Sequence, residues 1–167
     1  MRHLLDLNDL LEEELCHVYE AETKLLEFMD ELIPRAKQGP LLDWMMAYRG
    51  VVEKHSVVVR KTFYNLFLPI SPEGKSVVEE IIAEYHSEVR RTVDEDIREE
   101  EVILALAHII HYKIASYGTL HIHAKALKYW DEAIGLHIAL DQEKEMEANL
   151  TFLIEKHSVF LSDWYSI

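Results

Sequence analysis

The sequence predicts an all-α protein: an antiparallel four-helix bundle with an additional short helix in the crossover. Three observations carry this. Long stretches rich in Leu, Ala, Glu and Lys favour helix. Apolar residues recur at alternating spacings of four and three, which keeps them on one face. No Asn-Gly or Asp-Gly hairpin signal and no sustained alternation argues for strand.

The punctuation places the elements in order. Helices are expected over 5–37, 41–67, 73–92, 95–127 and 131–163. The first ends before Gly39-Pro40, where a proline lacking its amide hydrogen interrupts the ladder. The second ends in Leu68-Pro69-Ile70-Ser71-Pro72-Glu73, with Ser71 as the N-cap of the third and Pro72 at its first position. Asp94 is the candidate cap of the fourth helix and Asp131 that of the fifth. The long helices, about 27–33 residues each, would span ~40–50 Å.

The chain has 167 residues, 49% of them apolar, with 5 Gly and 4 Pro. That excludes disordered and collagen-like sequence and fits a single domain over 1–167. Acids outnumber Lys and Arg by 31 to 17, giving a net charge of −14. So acidic a chain is a poor match for nucleic acid or an anionic membrane surface. The single Cys16 cannot form an intrachain disulfide, and no apolar run is long enough to span a membrane. With no signal peptide visible, a cytoplasmic protein is expected.

Each helix, written as its inward stripe, carries a polar interruption. The first reads Leu11, Leu15, Val18, Glu22, Leu25, Met29, Leu32 and Ala36. The second reads Leu41, Met45, Tyr48, Val52, His55, Val59, Thr62 and Leu66. In the fourth, Val102, Leu106 and Ile109 lead to Lys113, then Ser116, Leu120, His123 and Leu127. The last runs through Leu136, Leu140, Glu143, Glu147, Leu150, Ile154, His157, Leu161 and Trp164. Glu22, His55, Lys113, Glu143 and Glu147 should therefore meet in one central layer, with Glu53 one seam away and able to join. Buried acids must be paired, protonated or metal-bound. Two explanations are open: a metal held by facing carboxylates with His55 beside them, or a structural layer in which Lys113 supplies the positive charge.

His111-Tyr112-Lys113-Ile114-Ala115-Ser116-Tyr117-Gly118-Thr119-Leu120 resembles the "EHYEIASYGTL" signature of the ferritin-like YciE/YciF family. The run from Tyr19 to Leu26 resembles that family's first helix, and Asp141 to Glu147 its last. Ala47-Tyr48 and Val52-Glu53 lie where its second helix carries "AF" and "LEET". The resemblance implies a ferritin-like bundle, commonly a homodimer, in a group of stress-associated di-metal carboxylate proteins. It carries over four candidate metal ligands: Glu22, Glu53, Glu143 and Glu147. The departures are specific. Lys54 replaces the second acid of "LEET", Ile110 the acid before His111, and Lys113 the acid of "HYE". A ligand position thus holds a cation.

These readings give a leading expectation and two alternatives. The first is a stress-associated, non-catalytic bundle whose metal site is lost or reduced to a single ion, with Lys113 neutralising a buried Glu layer. The second is a di-iron or di-manganese carboxylate oxidase or peroxidase using Glu22, Glu53, Glu143 and Glu147. The third is an interaction module whose acidic exterior recruits a basic protein. The ten histidines suggest no strong zinc site, since His121 and His123 point apart and no HExxH occurs. Tyr112 and Tyr117 are expected to pack at the bundle edge. The all-round apolarity of 102–120 is read as a dimer face, with cover by the short helix as the competing account. No small-molecule substrate is identified.

Overall fold

The computed structural model describes residues 4–71 and 76–164, with side chains placed up to 156. It contains helices α1 (Leu7–Leu32), α2 (Pro40–Asn65), α3 (Val77–Val89), α4 (Glu95–Ala126) and α5 (Trp130–Trp164). A 3-10 turn at Ile33–Arg35 follows α1. There is no strand among the described residues.

The boundaries follow local chemistry. Asp6 caps α1 by accepting from the backbone N–H groups of Asn8 and Asp9. α1 stops at Leu32, earlier than expected, because Pro34 cannot donate to the helical ladder and the chain tightens into the 3-10 turn. Gly39 precedes Pro40, which stands at the first position of α2. Asp94 caps α4 as expected, accepting from Asp96 and Ile97. Two expected caps move. α3 begins after Ser76, leaving Ser71 outside the helix, and Pro72 falls outside the described residues. α5 begins at Trp130, so Asp131 sits inside its first turn.

Helices α2 and α4 end alike. In each, the residue after the cap has positive φ: Phe67 at 55° and Lys128 at 66°. The next amide then reaches back five residues, from Leu68 to the Phe63 carbonyl at 3.0 Å and from Tyr129 to the Ala124 carbonyl at 2.9 Å. This motif usually uses glycine, so neither stop carried the ordinary sequence signal.

The four long helices form a closed ring in which α1 packs on α2, α2 on α5, α5 on α4 and α4 on α1. Neighbours run antiparallel. The C-terminal half of α1 shares one apolar cluster with the N-terminal halves of α2 and α4 and with Met146 and Leu150 of α5. The N-terminal half of α1 shares a second cluster with the opposite ends of those helices. Helices α2 and α4 therefore run the same way, and the chain between them must travel the bundle's length. α3 lies in that crossover, packed on α4 and α1.

α3 also accounts for the broad apolarity of α4. Ile103 and Ala105 are buried in the cluster against which Ile81, Ile82 and Tyr85 of α3 pack. Of the run that suggested a dimer face, Leu104 stays 56% exposed.

Removing a fully buried side chain should cost far more than removing a cap. Leu106→Ala is expected to destabilise the fold by about 2–5 kcal/mol and Asp94→Ala by ~1 kcal/mol, measured by urea unfolding. Lys128→Gly should stabilise it by about 1 kcal/mol by relieving the positive φ.

Candidate functional site

The two apolar clusters are separated by one polar layer. Glu22 of α1, His55 of α2, Lys113 of α4 and Glu143 of α5 are each at most 1% exposed. Their stripes bring them to the same height, one from each helix of the ring. Tyr48 and Tyr117, both fully buried, complete the layer from α2 and α4.

Lys113 is the hub. Its Nζ lies 2.9 Å from Glu22 Oε2 and 2.6 Å from Glu143 Oε1. It sits 3.3 Å from the Tyr48 hydroxyl and 5.0 Å from the centre of that ring, so the ring face adds a cation–π contact. Tyr48 donates to Glu143 Oε2 at 2.7 Å, and Tyr117 to Glu22 Oε1 at 2.5 Å. His55 Nδ1 lies 2.9 Å from Glu143 Oε1 and 3.8 Å from Glu22 Oε1. Glu22 Oε2, Glu143 Oε1 and His55 Nδ1 make no hydrogen bond despite these distances. The Lys113 contacts act as ion pairs, because at 2.6–2.9 Å nothing fits between the ammonium and the carboxylates.

The two acids are not equivalent. Glu143 gathers Lys113, His55 and Tyr48, whereas Glu22 has Lys113, Tyr117 and the more distant imidazole. Burial pushes both carboxyls upward. For Glu143 the ammonium and the imidazole outweigh it and hold the carboxyl below its ordinary value. For Glu22 burial prevails, helped by the negative Glu143, and the carboxyl stays raised despite Lys113. Burial works against the Lys113 charge too, but the two carboxylates carry its pKa above the ordinary lysine value. Both tyrosines are pushed well above theirs, by burial first and then by the adjacent acids, and serve as hydrogen donors.

His55 reaches the layer's edge. With Nδ1 beside Glu143, its Nε2 faces the Gln142 side-chain amide at 2.9 Å. That amide can present oxygen or nitrogen, so it suits either charge state of the ring.

Not every expected residue arrives. Glu22, His55, Lys113 and Glu143 do. Glu53 does not: Val52 occupies the seam, and Glu53, one residue further round, is 55% exposed and pairs with Arg49 at 2.5 Å. Glu147 also stays outside. Because 3.6 residues make a turn, the seam of α5 passes from Glu143 through Met146 to Leu150. The Met146 carbonyl accepts from Trp44 Nε1 at 3.1 Å. Glu147 turns to the flank, 3.7 Å from His111, and accepts from Thr151. His157, Leu161 and Trp164 lie outside the described side chains.

Tyr117 belongs to the centre rather than the bundle edge. The signal for it was present, since it follows Lys113 by four residues on one helix face. Tyr48 stood in its stripe as an apolar member, its hydroxyl unread. Gln142 had no signal beyond its place beside Glu143.

A four-helix bundle with its crossover between the second and third long helices, and with a carboxylate-rich centre, defines the class. The chain belongs to the family described as Domain of unknown function (DUF892), whose pattern matches residues 6–159. It is 29% identical to Protein YciF of Escherichia coli strain K12 over 143 residues, 83% of this chain and 84% of that protein. The crystal structure of the E. coli stress protein YciF superposes with a TM-score of 0.83 at 25% identity, covering 93% of this chain and 98% of that one. YcfI of Rhodopseudomonas palustris shares the fold at a TM-score of 0.81 and 23% identity, covering 90% and 96% respectively. No helix among the described residues is long and apolar enough to cross a membrane.

The layer should shape the pH dependence of stability. Glu143 has a lowered folded pKa, so its contribution is present above the ordinary carboxylate value of 4.5 and is lost as pH falls through the folded one. Lys113 has a raised folded pKa, so its contribution is complete below 10.5 and is lost as pH rises through the folded value. Glu22, raised, has the opposite sign to Glu143 and softens the acid loss. Urea midpoints should form a plateau with both shoulders, and Lys113→Gln should lessen the alkaline one, to which the raised Tyr48 and Tyr117 also contribute. Tyr117→Phe should cost about 1–3 kcal/mol by leaving a buried carboxylate oxygen without its donor.

Proposed function

We propose that this chain is a non-catalytic member of its family, in which the Lys113 ammonium takes the position a metal would hold and ties the four helices together. The observation that carries this is Lys113 Nζ lying within 2.9 Å of both buried carboxylates.

Glu22, His55 and Glu143 alone form a set of donor atoms that a cation suits, all within 4.8 Å of one another. The ammonium among them changes that fit. A divalent ion at ~4 Å from a unit positive charge is opposed by about 8 kcal/mol at an effective dielectric of ~20. The other two acids of a four-carboxylate site lie outside the layer, Glu53 exposed on α2 and Glu147 half-buried on the flank of α5. The residues present therefore do not fit a di-metal centre, which argues against the oxidase or peroxidase alternative.

The relative YciF is named a stress protein, and YcfI is one for which a structural role is proposed. A bundle stabilised without metal suits a structural, stress-associated role here, in the cytoplasm. Exposed apolar Met46, Val57 and Tyr64 on α2, and Ile134 and Ile138 on the neighbouring α5, favour a homodimer. The acidic-module alternative draws only on the charge of −14.

The experiment is metal analysis of protein produced with iron and manganese supplements and purified without chelator. Wild-type protein should carry substoichiometric metal, and Lys113→Glu should take it up. A stoichiometric pair of ions in the wild type would refute the reading. Without metal, Lys113→Met should lose about 3–5 kcal/mol, the usual cost of stripping one partner from a buried ion pair.

A further inference from the structure

The polar layer is not the only built feature of the bundle. At the end where α1 finishes and α2 begins, a cleft of about 710 Å³ opens between them, the last turn of α3 and the first turns of α4. The groove between α3 and α4 holds only about 70 Å³. The larger volume lies in the range of small-molecule sites.

Its lining has two characters. Leu41, Leu42 and Met45 of α2, with Val102 of α4 and Tyr85 and Val89 of α3, give an apolar floor. The rim carries Arg35, Lys37, Arg90 and Arg98 against Glu31, Glu95 and Glu99. Four cations against three acids leave one positive charge in a chain whose net charge is −14.

The rim charges are not all committed. Arg35 pairs with Glu31 at 2.9 Å, and Lys37 with Glu95 at 3.1 Å and Asp96 at 3.3 Å. Arg98 uses its Nε on the Thr92 carbonyl, at 2.8 Å, and the described residues give its guanidinium no ion pair. Arg90 likewise has no ion pair among the described residues, although it stands beside Arg91, which pairs with Glu88. Two guanidiniums without an ion pair among the described residues thus line a cleft with an apolar floor.

We infer that this cleft binds an amphipathic monoanion, an aliphatic carboxylate whose chain lies on the Leu41–Met45 floor and whose head meets Arg90 and Arg98. A planar guanidinium matches a carboxylate with two parallel donors. The three acids on the rim disfavour a dianion such as a phosphate monoester. This site is independent of the central layer, so its fate does not depend on whether Lys113 replaces a metal.

Calorimetric titration of the full chain with decanoate, decanol and acetate tests it. Decanoate should bind, decanol at least about tenfold more weakly, and acetate not measurably, since a charge-assisted pair contributes about a factor of ten or more. The double variant Arg90→Gln/Arg98→Gln, altered only at exposed positions, should weaken decanoate by about tenfold or more and leave decanol unchanged. Val102→Trp should abolish both by filling the cleft. Absence of decanoate binding below its micelle concentration would overturn the inference. So would equal affinity for decanol, or wild-type decanoate affinity in the double glutamine variant.

Discussion

One ammonium group holds two carboxylates in a polar layer that separates two apolar clusters. Burying either acid alone would cost several kcal/mol. The same cost makes the arrangement specific: only one register of the four helices brings Lys113 to both Glu22 and Glu143. Sliding any helix by one turn would strand a charge against leucines on either side, because each apolar cluster begins immediately beyond the layer. The ion cluster therefore chooses among packings that the apolar stripes alone would leave closer in energy.

The supporting groups explain why the cluster tolerates full burial. Tyr48 and Tyr117 each donate to the carboxylate oxygen that Lys113 leaves free, and their raised pKa values keep them protonated. Tyr48 also places its ring beside the ammonium. Gln142 faces the imidazole of His55 at the layer's edge.

Much of this is legible in the sequence. The stripes of α1 and α2 predicted burial at nearly every member, because long antiparallel helices repeat one simple geometry. The interruptions at Glu22, His55, Lys113 and Glu143 marked the centre for the same reason. What sequence could not show was rotation within a residue of the seam. Glu53 and Glu147 differ from buried positions by a single step, about 100° of helix, and a four–three template does not resolve that step. Hydroxyl roles were hidden too, since a tyrosine in an apolar stripe reads as packing. The ends of α2 and α4 were missed by a residue or two because Phe67 and Lys128 adopt a conformation usually given to glycine.

Both the charge and the place of the Lys113 side chain are read by ¹⁵N-detected NMR of lysine ammonium groups. The protein should be grown with iron and manganese and kept free of chelator. The account predicts one sharp ammonium signal, assigned through Lys113→Arg, that exchanges slowly with water near neutral pH and shows contacts to the Tyr48 ring. A Lys113 signal exchanging at the rate of the surface lysines, or one broadened away by a nearby paramagnetic ion, would contradict it.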